Sequence, residues 1–102
     1  MNDIIERLKE EWNLDEHAIY LEPCEDYNKG IVGVTEDKQR IIYSYQKLTA
    51  ALAESYQKTE ENSEKTFEDY LDEACEWVDC NTIRSIPYWN KEYAPIIMYE
   101  VE

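Results

Sequence analysis

A row of acidic side chains is the feature of this sequence best placed to do chemistry. The residues recur at spacings of three and four along one predicted helix: Glu68, Asp69, Asp72, Glu73, Glu76 and Asp79. Residues at these spacings are neighbours on a helix, and like charges there oppose each other by a few tenths of a kcal/mol per pair. The row therefore is either a solvated face or a surface that docks a basic protein or imitates nucleic-acid phosphates.

Catalysis is the other chemistry that carboxylates support, but no pair of them is singled out for acid–base work. His17 is the only histidine and directly follows Asp15 and Glu16, so it is predicted to be a surface residue. His17, Cys24, Cys75 and Cys80 lack the short spacings of a zinc site, and two glycines do not make a phosphate-binding loop. The sequence thus predicts a protein without catalytic residues, cofactor or metal, and not an enzyme.

The connector after the acidic helix holds a second group of candidate binding residues. Arg84 is surrounded in sequence by carboxylates, so it could contact a partner or pair with Asp79 or Glu76. Tyr88 and Trp89 are residue types enriched at the centres of protein interfaces, although they could equally pack over the end of a sheet. We expect these three residues to join the acidic row in one protein-binding surface.

The composition bounds the class of protein. The chain has 102 residues, 43% of them hydrophobic, and a net charge of −14, which together fit a single domain over residues 1–102. A field of this sign repels phosphates and anionic lipids, and no apolar run approaches the length of a membrane span. We therefore expect a protein partner with a basic surface, no direct nucleic-acid binding and no membrane.

Cysteine usage indicates a reducing compartment. Three cysteines cannot complete a disulfide framework, and Cys75 and Cys80 would point away from each other on a helix. We expect three buried thiols and a cytoplasmic protein, either monomeric or homodimeric.

The hydrophobic pattern predicts an α+β fold. The predicted elements are a helix at 2–12, a strand at 18–22, hairpin strands at 31–34 and 41–43, helices at 45–56 and 67–78, and a strand at 96–99. The order α-β-β-β-α-α-β predicts a small, mostly antiparallel sheet of about four strands with helices packed on one face. Both hairpin strands are apolar on both faces, which predicts that the hairpin lies centrally in the sheet.

Local signals set the ends of the helices. Ser44 is a good N-cap, Thr66 and Asp69 fit a reciprocal cap, and Asn81 is predicted to end the third helix. Residues 57–65 are predicted to form a loop. Two apolar stripes are predicted to be buried, the second of them against the sheet. The first stripe is Ile4, Ile5, Leu8 and Trp12, and the second is Phe67, Tyr70, Leu71, Ala74, Trp77 and Val78.

One string of residues resembles a known group of proteins. The segment 76–88, EWVDCNTIRSIPY, follows an IVGV hairpin strand and precedes a terminal PIIMY at 95–99. This arrangement resembles small uncharacterised proteins of phages, prophages and gut bacteria, in which an EW-x-x-x-NTIRS-x-PY segment and PIIMY recur. The resemblance covers roughly residues 30 to 99. It implies a phage-related origin and supplies no catalytic residues.

These observations favour a non-catalytic, acidic accessory module that binds a basic protein. The sharper form of this expectation is an inhibitor that imitates nucleic acid. The alternative is a structural domain that associates with itself through a sheet edge or an aromatic patch.

Overall fold

The computed structural model describes residues 3–21, 24–59 and 64–101. The helices there are α1 (Asp3–Glu11), α2 (Cys24–Tyr27), α3 (Tyr45–Thr59) and α4 (Phe67–Trp77), and the strands are β1 (Ile31–Val34), β2 (Ile41–Ser44) and β3 (Ile96–Met98). A π-helix (Val78–Ile83) continues α4, and 3-10 turns lie at Asn28–Gly30 and Ile86–Tyr88. The predicted α+β class is confirmed.

The sheet contains three described strands in the order β1-β2-β3. The predicted hairpin forms, with β1 antiparallel to β2 and a bulge between Ile31 and Gly33, while β3 runs parallel to β2. Because β3 occupies the other side of β2, only β2 is central. The prediction of a central position was wrong for β1, which lies at the edge.

The strand predicted at 18–22 is not formed by residues 18–21, and Glu22 lies outside the described residues. The backbone N–H of Ile19 donates to the Tyr93 carbonyl at 3.0 Å. The N–H of Leu21 donates to the Tyr43 hydroxyl oxygen at 2.9 Å. Ala18 and Leu21 are nevertheless buried in the core. The apolar pattern was correct about burial, but these bonds go to a connector and a side chain instead of a strand ladder.

Helix α3 is the central support of the fold. Ser44 caps it as predicted, since its buried hydroxyl oxygen accepts from the Lys47 N–H at 3.3 Å. Leu48 and Leu52 are buried at the heart of the core. A Cβ at Gly30 would lie 2.9 Å from Leu48 Cγ, so glycine allows the 3-10 turn to approach α3. The helix runs on to Thr59, past the start of the predicted loop at 57–65, and residues 60–63 lie outside the described part.

Helix α4 begins with the predicted reciprocal cap. The Asp69 N–H donates to Thr66 Oγ1 at 3.3 Å, and the Thr66 N–H donates to Asp69 Oδ2 at 3.0 Å. Its buried stripe continues through Tyr70 and Ala74 to Val78. The element that this stripe contacts most extensively is α3, and not the sheet as predicted.

That change of packing partner overturns part of the burial prediction. Phe67 is 38% exposed and Trp77 is 48% exposed. A stripe that packs on another helix is narrower than one that covers a broad core face. Positions at the margin or the first turn of α4 therefore remain in contact with solvent.

Other residues predicted to be buried also reach the surface. Trp12 is 55% exposed, although Ile5 and Leu8 of the same stripe are buried. Cys75 is half-buried and Cys80 is exposed, while the side chain of Cys24 lies outside the described residues. No helix in the described segments is both long and apolar enough to cross a bilayer.

Candidate protein-binding surface

All six carboxylates of the predicted acidic row are exposed, and we call this surface the acidic face. Three of them have partners within the chain. Asp69 belongs to the helix cap, Glu73 Oε1 lies 2.6 Å from Lys65 Nζ, and Asp79 Oδ1 accepts from the Tyr45 hydroxyl at 3.0 Å. The other three form no hydrogen bond or ion pair with described residues: Glu68, Asp72 and Glu76. Half of the face thus presents carboxylates whose charge the described chain leaves unpaired.

A wide cleft of about 490 Å³ opens between α3 and α4 beside this face. Its lining combines aromatic, acidic and small polar side chains: Tyr56, Glu73, Glu76, Trp77, Cys80 and Asn81. We call it the α3–α4 cleft. Its walls pair ring surfaces with negative charge, which is the combination that attracts a cation.

A second cleft, of about 300 Å³, lies on the other side of Trp77. It is mostly apolar and is called here the aromatic cleft. Its lining residues are Ile19, Tyr20, Leu21, Tyr27, Trp77, Asn81, Thr82 and Trp89. Trp77 and Asn81 line both clefts, so the indole forms the ridge that separates them.

Hydrogen bonds within the π-helix help to hold the Trp77 indole in place. Asn81 was predicted to end the helix as a C-cap, but the chain continues helically through Ile83. Instead, Asn81 Nδ2 donates to the Trp77 carbonyl at 3.1 Å, and Ser85 Oγ donates to the Asn81 carbonyl at 2.6 Å. Both side chains thus bond backbone carbonyls one turn earlier in the chain and brace the end of the helix. Such π-turns occur frequently at functional sites.

A buried polar contact also joins the π-helix to the core of the protein. The hydroxyls of Tyr27 and Thr82 lie 2.8 Å apart in the core. Because both side chains are buried and each satisfies the other, the contact determines how the π-helix sits against α2. The position of the exposed Trp77 indole therefore depends on a contact made in the core.

Two tyrosines of α3 have perturbed acidities. Burial, with smaller contributions from Tyr27, Glu73 and Asp26, raises the pKa of Tyr56. Burial, followed by the Cys75 thiol and the Asp79 carboxylate, raises the pKa of Tyr45. Both hydroxyls are therefore neutral at neutral pH, and that of Tyr45 joins the start of the π-helix to α3 through Asp79.

The structure separates the predicted connector residues. Trp89 is half-buried, packs against the core and lines the aromatic cleft. Arg84 is exposed and Tyr88 is 89% exposed, but neither lines the two clefts. Arg84 forms no ion pair with the described residues, so the pairing with Asp79 or Glu76 that the sequence left open is not made.

Tyr56 and Trp77 are the candidate site residues that sequence reasoning did not select. Trp77 was assigned to the buried stripe because it lies three residues after Ala74 and seven after Tyr70, which are helical spacings. One signal was available, since at about 100° per residue Trp77 lies at the margin of the stripe next to Glu73. A tryptophan at such a margin is half-exposed whenever the packed surface is narrow.

Potential metal ligands and the single histidine were also located in the described residues. No group of three or more potential ligands is close enough to hold a metal ion there. His17 is exposed as predicted, and its backbone N–H donates to Asp15 Oδ1 at 2.7 Å. That hydrogen bond is the main cause of the lowered pKa of Asp15.

Comparison with known proteins assigns no family. No family model matches the chain, and neither a curated protein nor a solved structure matches it.

Proposed function

We propose that this chain is a non-catalytic, acidic module that binds a basic protein through the acidic face of α4, with Trp77 as the anchor. One observation carries the proposal. A tryptophan that is 48% exposed stands between two clefts, beside Glu76, whose carboxylate the described chain leaves unpaired. Tryptophan is enriched among the residues that dominate binding energy, and a rim of charge steers the approach of the partner.

The net charge of −14 supports the same proposal. A field of this size accelerates encounters with basic surfaces and repels nucleic acid itself. Binding would work by occlusion, because the carboxylates would cover a basic groove that the partner uses elsewhere. In the sharper form the module is an inhibitor that imitates nucleic acid, since carboxylates four residues apart rise about 6 Å along a helix and form a regular anionic row.

The resemblance to phage-type proteins supports a role for this surface. The segment that carries it, residues 76–88, forms the end of α4, the π-helix and the following 3-10 turn. Five of its residues line the two clefts: Glu76, Trp77, Cys80, Asn81 and Thr82. A phage-related accessory protein that blocks a host enzyme is the form of the proposal that fits this placement.

Charge neutralisation on the acidic face tests the proposal. Asp72→Asn, Glu76→Gln and Asp79→Asn together should lower the affinity for basic nucleic-acid-binding proteins, such as core histones, about tenfold or more at low salt. Asp79→Asn retains an acceptor for Tyr45. Isothermal titration calorimetry at low and high salt measures the affinity, and urea unfolding checks that the fold is retained.

The matched control removes the same charge elsewhere. Glu10, Glu16 and Glu36 are exposed, and their replacement by glutamine should change the affinity less than about threefold. Equal losses in the two triple variants would mean that only net charge matters and would overturn the proposed surface. For the nucleic-acid mimic, double-stranded DNA should displace the module from its partner.

Self-association is the second candidate function, and the edge strand favours it. β1 lies at the sheet edge and borders an apolar groove of about 380 Å³. The groove is lined by Ile4, Leu8, Trp12, Ile31, Val32, Gly33, Val34 and Lys38. Light scattering discriminates the two functions, since association through this groove would give a fixed oligomer that persists at high salt. A monomer at all salt concentrations would exclude it.

A further inference from the structure

We infer that the α3–α4 cleft is a socket for a single arginine side chain of the basic partner. The inference rests on the proposed function and names the chemistry that the anchor recognises. Tyr56 and Trp77 supply ring surfaces, and Glu73 and Glu76 supply negative charge around the same opening. A guanidinium is the side-chain group that uses both, because it stacks on rings and binds carboxylates with a planar fork.

The chain itself places a cation over two of its aromatic rings, the exposed ring of Trp12 and the buried ring of Tyr70. Lys38 Nζ lies 5.9 Å from the centroid of the Trp12 ring, and Lys65 Nζ lies 5.7 Å from that of Tyr70. Both distances are in the range of cation–π attraction. Trp77 has no such cation among the described residues, although carboxylates border its cleft. The half-exposed ring of Trp77 and the adjacent Glu76 carboxylate are groups that together attract a cation from another molecule.

The two carboxylates of the cleft differ in availability. Glu73 is already 2.6 Å from Lys65 Nζ, whereas Glu76 has no ion-pair partner among the described residues. Glu76 is thus the carboxylate expected to receive the incoming guanidinium. Glu68 provides a matched control, since it lies on the same helix, is exposed and carries the same charge, but does not line the cleft.

Nuclear magnetic resonance titration with two short, unstructured peptides tests the inference. The peptides alternate glycine with either arginine or lysine and have the same length and charge. We expect the arginine peptide to bind about threefold more tightly, and to shift the indole N–H signal of Trp77 but not that of Trp12. A lysine peptide that binds equally well would overturn the choice of arginine.

Three variants separate the socket from the general field. Trp77→Leu retains apolar bulk but removes the aromatic ring, and should weaken binding of the arginine peptide about tenfold. Glu76→Gln should weaken it about threefold, and Glu68→Gln less than twofold. The backbone amide spectrum of each variant confirms that the fold is intact.

The outcomes distinguish the two proposals. If the peptide binds in a salt-dependent way but Trp77→Leu and Glu76→Gln weaken it no more than Glu68→Gln, the socket is refuted and the acidic face still stands. If neither peptide binds at low salt and core histones also fail to bind, both proposals are wrong.

Discussion

Trp12 and Trp77 occupy similar positions in the sequence pattern, but their surroundings in the structure differ. Each lies near the C-terminal end of the apolar stripe of a helix, and their exposures of 55% and 48% are similar. Trp12 borders an apolar groove and is covered by Lys38. Trp77 separates two clefts and is bordered by carboxylates, with no described cation over its ring. Half-exposure is therefore common to both residues, and the carboxylate without a described partner beside Trp77 is the difference on which the proposed binding surface rests.

The largest expected effect is a difference in stability between two substitutions in α4, one at the buried Tyr70 and one at the half-exposed Trp77. Tyr70→Ala should lower the free energy of unfolding by roughly 3 kcal/mol, because Tyr70 is 1% exposed and its loss leaves a cavity. Trp77→Ala should lower it by less than about 1 kcal/mol, as expected for a residue outside the packed stripe. Urea unfolding of both variants measures the difference. Equal losses would show that Trp77 is a core residue and would remove the basis of the comparison.

An intermediate effect concerns the hydrogen bond that joins the start of the π-helix to α3. Tyr45→Phe removes the hydroxyl that bonds Asp79 and should lower the free energy of unfolding by about 1 kcal/mol at pH 8. Because the pKa of Tyr45 is raised above its ordinary value of 10.0 in the folded protein, the unfolded chain loses this proton first. The stability of the wild type should therefore fall as the pH rises above about 10.

The phenylalanine variant is its own control for this pH dependence. The stability difference between it and the wild type should be constant below pH 10 and shrink above it. Urea midpoints measured from pH 8 to pH 11 give the comparison. A difference that does not change with pH would mean that Tyr45 is not the titrating group.

The smallest expected effect concerns the cation that lies over the Trp12 ring. Lys38→Gln removes the cation over the Trp12 ring and should lower the free energy of unfolding by about 0.5 kcal/mol. Lys38 has a positive φ of 65°, which glutamine tolerates about as well as lysine does. The indole N–H signal of Trp12 should shift while that of Trp77 stays in place. A shift at Trp77 would show that the two surfaces are coupled.

Much of the local structure was predictable because it depends on neighbours in sequence. The Ser44 cap, the Thr66–Asp69 reciprocal cap and the hairpin at 31–44 all formed where the residue types place them. The exposure of the acidic face also followed from its helical spacing. These features depend only on hydrogen bonds between residues close in sequence and on the periodic spacing of apolar residues.

The missing strand and the exposed tryptophans were not predictable on the same grounds. Residues 18–21 are apolar enough for a strand, but the bonds of Ile19 and Leu21 go to Tyr93 and Tyr43. Which partner a backbone N–H meets is decided by the rest of the chain. The π-helix likewise depends on Thr82 meeting Tyr27, a residue 55 positions away.

The sequence by itself determined an acidic α+β chain, its main helices and the hairpin, because charge, capping and hydrophobic spacing act over a few residues. Only the tertiary structure decided that α4 packs on α3, and so left Trp77 standing between two clefts with Glu76 nearby. The reason is physical: the width of the surface that a helix buries depends on the shape of what it packs against, and that shape is made by residues distant in the chain.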